Sequence, residues 1–267
     1  MKSFLILILT FIIANTIHAD DRRFSYTYES SVLAKNQKDI EVWTTYKAGR
    51  EYFYSVFENR FEFEVGLTKK LQTAFYLNCK SVTQANQMNR DYVTEFEFGG
   101  ISSEWKYQAL NKYKDAIGFA PYLELNLNTR EIEVETKLIF DKHLSKKFLI
   151  AFNIVTEYEW KFNPAPEKTS KEFTLEFDLG LAYDVTNNFS MGLEARNHTE
   201  VPEGKGIEHS SLFLGPNISY RTNSWFFTFT YLTQLPAVQR SEEMSNSSLI
   251  LDEHERNNLR MLIGFSL

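Results

Sequence analysis

From about residue 39 onward the chain repeats one pattern: a large apolar residue at every second position, in runs of about 10–14 residues, with polar links between runs. Residues 171–196, KEFTLEFDLGLAYDVTNNFSMGLEAR, show it most plainly. Phe173, Leu175, Phe177, Leu179, Leu181 and Tyr183 alternate with Thr174, Glu176, Asp178, Gly180 and Ala182; the chain turns at DVTNN and the alternation resumes. Successive side chains of a strand point to opposite faces, so a period of two specifies a sheet with one apolar and one polar face and is incompatible with a helix. Runs of this kind predict strands near 39–47, 54–67, 71–81, 91–107, 115–128, 131–142, 147–160, 171–184, 188–198, 209–221, 224–234 and 257–267. The expected class is all-β and antiparallel, with twelve strands and a range of about 10–14.

The links alternate in kind. LTKK (67–70), DKHLSKK (141–147), DVTNN (184–188) and RTNS (221–224) are tight polar turns. Between them fall the longer links 79–90, 161–171, 197–210 and 235–257, with NTRE (128–131) the one short member of that set. All short turns then lie at one end of the sheet and the long loops at the other. Composition agrees with a strand-building chain: aromatic residues make up 15% of the sequence, whereas Gly (11) and Pro (6) are scarce. A formal charge of −6 argues against a nucleic-acid surface.

The first nineteen residues, MKSFLILILTFIIANTIHA, combine one Lys, an apolar run from Phe4 to Ala14 and a small residue, Ala19, before Asp20. This is the form of a secretory leader cut after Ala19, since the run is too short to span a bilayer. The organisation expected is a leader over 1–19, a periplasmic segment or short strand over 20–38 that includes RRFSYTYESS, and one barrel over 39–267. The single cysteine, Cys79, excludes an internal disulfide and lies far from the leader, so it offers no lipid anchor.

Three features place the apolar face outside. Tyr, Trp and Phe stand at strand ends, as with Phe148 and Trp160 or Trp225 and Tyr231, where amphipathic rings suit a lipid–water boundary. Many strands are long enough to cross a bilayer, which takes about 9–11 tilted residues. The final run, NNLRMLIGFSL, alternates to the last residue. FENRFEFEVGLTKKLQTAFYLN, LGLAYDVTNNFSMGLEAR and SLFLGPNISYRTNSWFFTFTYLTQL resemble the small outer-membrane β-barrels of Gram-negative bacteria, in particular their poorly characterised transporter families. That resemblance covers essentially the mature chain. It implies residence in outer-membrane lipid and delivery to the outer-membrane assembly machinery through the C-terminal strand. Such proteins most often end in Phe, and this chain ends Phe265-Ser266-Leu267.

With the apolar face on lipid, the other face lines a lumen. The alternation assigns to it Arg60, Glu62, Glu64, Glu95, Glu97, Glu133, Glu135, Glu157, Glu159, Glu176, Asp178, Glu194, Arg196 and Arg260. Adding Glu41, Glu58, Glu104, Glu124, Asp141, Lys47, Lys106 and Lys137 gives sixteen acids against six bases. Unpaired buried carboxylates are too costly for a dry interior, so a water-filled lumen is expected. The function expected is a passive channel for small cationic or neutral solutes, gated by the loops at 79–90, 197–210 and 235–257. The alternatives are a non-conducting structural or surface-binding barrel and, third, a lipid-modifying enzyme.

An enzyme is not expected. Asn197-His198 with Ser210-Ser211 is the nearest approach to a serine-type constellation and lacks a lipase signature; His143 and His254 fall in links. His198, Glu208 and His209 lack the spacing of a metal motif such as H-E-x-x-H, so neither metal nor cofactor is expected. P-loop, dinucleotide and G-x-S-x-G motifs are absent from the sequence. Gly99-Gly100 interrupts an alternating run and reads as a bulge, and the N-x-S/T triplets at 197–199 and 217–219 read as coincidence.

Overall fold

A computed structural model describes residues 22–85, 91–162, 170–240 and 248–267. The expected leader and parts of the links at 79–90, 161–171 and 235–257 lie outside the described residues.

Twelve strands among the described residues close into one antiparallel barrel: β1 (Lys38–Ala48), β2 (Tyr54–Gly66), β3 (Leu71–Ala85), β4 (Tyr92–Tyr107), β5 (Gly118–Leu127), β6 (Glu131–His143), β7 (Phe148–Lys161), β8 (Ser170–Asp184), β9 (Phe189–Pro202), β10 (His209–Arg221), β11 (Trp225–Arg240) and β12 (Asn257–Ser266). Each pairs with its sequence neighbours, and β1 pairs with β12 from Asp39↔Ser266 to Ala48↔Asn257, which removes both sheet edges. The twelve runs stand as read from the sequence, and the four tight turns share one end, although the 108–117 link at that same end is longer than the links 128–130 and 203–208 at the other. The strands run further toward the long-loop end than expected, so those loops are shorter: β3 reaches Ala85, β11 reaches Arg240, and β9 and β10 leave only 203–208 between them.

The outer face is apolar. Phe57, Phe61, Phe75, Leu77, Leu125, Leu179, Leu193 and Phe265 are all exposed on it. Trp105, Tyr107, Tyr183, Tyr220 and Trp225 gather near the short turns, forming an aromatic girdle at that end. That end also holds the start of β1 and the end of β12 and is the periplasmic end. Gly99 is the extra residue of a β-bulge: Asn78 pairs with Gly100 and Cys79 with Phe98. Gly100 has φ +104°, a backbone conformation that favours glycine. Beyond the bulge the wall is incomplete, because β4 pairs with β5 only over Ile101–Lys106.

The link between β4 and β5 is longer than the other periplasmic turns, spanning 108–117, and carries Lys112 into the interior. Residues 22–30 are also inside. Every one of them is buried, and none belongs to a strand. From Leu33 the chain passes Gly66 and turns through Asn36, at φ +68°, into β1. An added Cβ at Gly66 would lie 2.0 Å from the Ala34 carbonyl oxygen, so only glycine permits this approach.

Candidate functional site

The interior has two storeys, and the lower one is built around the N-terminal segment. Its alternation, Phe24-Ser25-Tyr26-Thr27-Tyr28, places each aromatic ring in a different niche of the wall. Phe24 packs with Leu149, Ala151 and Ala182; Tyr26 with Phe213 and Leu232; Tyr28 with Trp43, Ala120, Tyr122, Ile139, Phe226 and Leu262. Burying a side chain of this size stabilises by roughly 1.5–3 kcal/mol. Cations complete the niches. Arg260 lies over the Tyr26 ring at 3.8 Å, and Arg22 lies over Trp43 at 4.2 Å and Tyr28 at 4.5 Å.

A segment without a partner strand must satisfy its backbone elsewhere. Here the wall does it with side chains. Ser25, Tyr26 and Thr27 donate three consecutive N–H groups to the Glu194 carboxylate at 3.0, 2.8 and 2.8 Å. Asn153 imitates a β-ladder: its Oδ1 accepts from Tyr28 N at 2.6 Å and its Nδ2 donates to Tyr28 O at 3.0 Å. Asp141 accepts from Ser30 N at 3.0 Å, Gln72 from Leu33 N at 2.9 Å, and Asn217 Nδ2 donates to Arg23 O at 2.6 Å.

Ion pairs lock the periplasmic side. Arg23 pairs with Asp184 at 3.0 Å and with Glu29 at 3.3 Å; Lys112 pairs with Asp141 at 3.1 Å and with Glu29. Burial works against the charged form of Glu29, but Lys112 and Arg23 outweigh it and hold the carboxyl down at about 2. Arg22 donates to Glu41 at 3.1 Å, and the Trp43 indole donates to the same carboxylate oxygen at 3.0 Å.

Above the seated segment lies a cavity of about 690 Å³, with Tyr26 and Tyr28 in its floor. Arg60, Glu97, Glu133, Glu135, Glu157, Glu159, Glu176, Arg196 and Arg260 all line it. The lining holds nine acids and seven bases, so the excess of acid is much smaller than sixteen to six. The two signs are interleaved. Glu133 and Glu135 on β6 and Glu157 and Glu159 on β7 make an acidic cluster, while across the barrel Lys47 on β1 pairs with Glu58 at 2.7 Å, Arg60 on β2 with Glu124 at 3.2 Å and Lys80 on β3 with Glu97 at 3.2 Å. Lys137 pairs with Glu135 at 3.0 Å and Lys161 with Glu159 at 2.5 Å, whereas Glu133 and Glu157 have no ion-pair partner among the described residues.

The remaining residues assigned to the lumen sit elsewhere. Glu62, Glu64, Asp178 and Glu194 are buried in the lower storey, where Gln72 donates to Glu64 at 2.8 Å. Glu95 is exposed and outside the cavity, because the end of β4 that carries it stands above the closed wall with only β3 beside it. Sequence reasoning missed Arg22, Arg23 and Lys112. The signal was present in the shortage of bases, since RRFSYTYESS offers two arginines and a run of free N–H donors.

The Asn197-His198/Ser210-Ser211 grouping does not converge. Ser210 Oγ accepts from Asn197 Nδ2 at 2.9 Å and lies 2.8 Å from Thr199 Oγ1, while His198 projects from the other face of β9 between Glu176 (2.9 Å) and Glu200 (3.0 Å). Glu208 is not one of the residues whose donor atoms cluster with the histidines. His209 and His254 meet instead beside His198; His198 and His254 line a second cavity of about 390 Å³ that shares Lys47, Glu58, Glu157, Glu159 and Arg196 with the first, and His209 is buried behind them. Burial, with His198 alongside, holds the His254 imidazole well below its ordinary range, so it is neutral.

A closed antiparallel barrel with an apolar girdled exterior and a polar interior has the fold of an outer-membrane β-barrel, built to sit in the lipid of the bacterial outer membrane. Its fold is similar to that of the COG4313 outer membrane channel from Pseudomonas putida F1, with TM-score 0.59 and 13% identity over 91% of this chain and 100% of that one. It is also similar to the NanC porin, with TM-score 0.54 and 13% identity over 85% and 100%. The β domain of the Bordetella autotransporter BrkA gives TM-score 0.52 and 9% identity over 87% and 100%. No curated protein matches the chain in sequence. Residues 16–267 match a family of unknown function, DUF6662, and the chain belongs to that family.

Proposed function

We propose that the protein is a passive outer-membrane channel for small cationic or neutral solutes, entered from outside through the charged vestibule and closed on the periplasmic side by residues 22–33. One observation carries this reading: a cavity of about 690 Å³ is lined by charged groups of both signs, and Glu133 and Glu157 in it have no ion-pair partner among the described residues. Two uncompensated carboxylates draw a cationic group toward them. An uncharged solute with several hydroxyl groups meets donors and acceptors around the cavity. The wall itself needs no movement, which suits diffusion rather than a pumped cycle.

The seated segment sets the state of the channel. Its residues are held by three seated aromatic rings, by ion pairs and by hydrogen bonds to carboxylates worth about 1.5–3 kcal/mol each, so the seated state is the resting one. Seated, the segment blocks; displaced toward the periplasm, it opens the lower storey. The same segment favours a second reading, in which the barrel never conducts and its outer surface does the work. Planar-bilayer recording of the purified protein separates the two. Discrete conductance that rises in Gly180→Val, whose new side chain would meet the Phe24 ring, supports a channel closed by its N-terminus. Silence in both proteins overturns the channel.

A further inference from the structure

His198, Glu200 and His254, scattered in sequence, bring donor atoms within 4.8 Å of one another, and His209 adjoins two of them. His198 and Glu200 come from β9, His209 from the first position of β10, and His254 from the link before β12. Glu200 Oε1 lies 3.0 Å from His198 Nε2, 3.5 Å from His209 Nε2 and 3.5 Å from His254 Nε2; the Nε2 atoms of His209 and His254 are 2.7 Å apart. Donors bound to one tetrahedral zinc-like ion at about 2.0–2.1 Å are roughly 3.3 Å from each other. We infer that His198, His209, His254 and Glu200 bind a single divalent transition-metal ion of the zinc class at the outer vestibule.

The surroundings are those of a built site. His198 Nδ1 is occupied by Glu176 at 2.9 Å, which fixes the ring and leaves Nε2 as the ligand atom, as carboxylates do behind metal-bound histidines. His209 is fully buried, and its Nδ1 has no hydrogen-bond partner among the described residues. The link that delivers His254 is pinned twice. Gln234 accepts from Ile250 N at 2.8 Å and donates to Ile250 O at 3.1 Å, and Arg50 holds Glu255 at 2.8 Å. Three of the donors face the 390 Å³ cavity, so an ion enters from outside without passing the lower storey. An ion there replaces the proton between the close-set Nε2 atoms of His209 and His254 and clips residues 248–256 to β9 and β10. Three nitrogens and one oxygen suit zinc and its neighbours and disfavour calcium or magnesium.

The inference stands whether or not the barrel conducts. The test uses the full mature chain refolded in detergent and stripped of metal, titrated with Zn²⁺ by calorimetry and with Co²⁺ by visible absorption. The expected result is one ion per barrel with a Kd of about 1 μM or below and the intense bands of tetrahedral cobalt. His254→Ala lowers affinity by about 100-fold or more, and Glu176→Gln, which touches His198 alone of the four ligands and also holds Arg196, by about 10–100-fold. His143→Gln, at the periplasmic end, leaves binding unchanged. Should His254→Ala fail to refold, Glu200→Gln carries the same expectation. No uptake by the wild-type barrel, an octahedral cobalt spectrum, or unaltered binding in both ligand variants overturns the site.

Discussion

Glu194 receives three successive backbone N–H groups and a fourth bond from the Thr230 hydroxyl at 2.6 Å, so one carboxylate caps a turn of chain that has no ladder of its own. Bonds to a charged acceptor are worth about 1.5–3 kcal/mol each, so removing the charge while keeping the shape should loosen this turn first. Glu194→Gln should accelerate amide exchange at Tyr26 and Thr27 by about tenfold or more, and unchanged rates would mean that the segment is held elsewhere. Glu29 gives the pH dependence. Its carboxyl is held at about 2 against an ordinary 4.5, so its stabilisation is complete above pH 4.5 and disappears as the pH falls toward 2. Protease cleavage within residues 22–33 should therefore rise below pH 4.5 and stay flat from pH 5 to 8. A rise centred near pH 6.5 would implicate a histidine instead. These residues were not legible beforehand: alternation marks which face a strand residue takes, but says nothing of which donor meets Glu194 from a segment 167–169 positions away.

At the scale of the strand, legibility was high. Period-two alternation is imposed along the whole wall by lipid outside and polar chemistry inside, and it located all twelve strands and their order. It failed at strand ends, where β3, β9 and β11 outrun the bilayer and no apolar partner enforces the pattern: QRS and CKSV look like loop whether or not they are paired. The β1–β12 seam tests the part of the resemblance that concerns assembly. Phe265 is exposed on the outer face at the periplasmic boundary, where a charged substitution costs only about 0–1 kcal/mol, against 2–4 kcal/mol for Lys at the bilayer midplane. Phe265→Asp should leave a refolded barrel's thermal stability nearly unchanged and yet cut the amount reaching the outer membrane several-fold, if the terminal strand is what the assembly machinery reads. Equal losses in both measurements would reduce Phe265 to an ordinary lipid contact. Leu125→Lys in β5 is the opposite case, with stability lost in detergent as well as in cells.

Across the whole molecule the two storeys answer to different solvents. The upper one is an open cavity lined by charge, and its charge pattern is the quantity to measure. Glu133→Gln combined with Glu157→Gln should shift the reversal potential in a salt gradient toward anion preference. Glu176 is a poorer probe, because Arg196 and His198 hold it. An unmoved reversal potential would take these carboxylates out of the ion path. The lower storey is in effect a small water-soluble core enclosed by a membrane wall, and it draws on β3, β6, β7, β9, β10, β11 and β12 at once. Strands from the two ends of the chain must therefore be in place before residues 22–33 have anywhere to dock. Refolding should thus proceed in two kinetic steps, with β-sheet circular dichroism recovered first. A later, slower change in the fluorescence of Trp43, against which Tyr28 and Arg22 stack, would time the moment at which the finished cylinder takes in its own beginning.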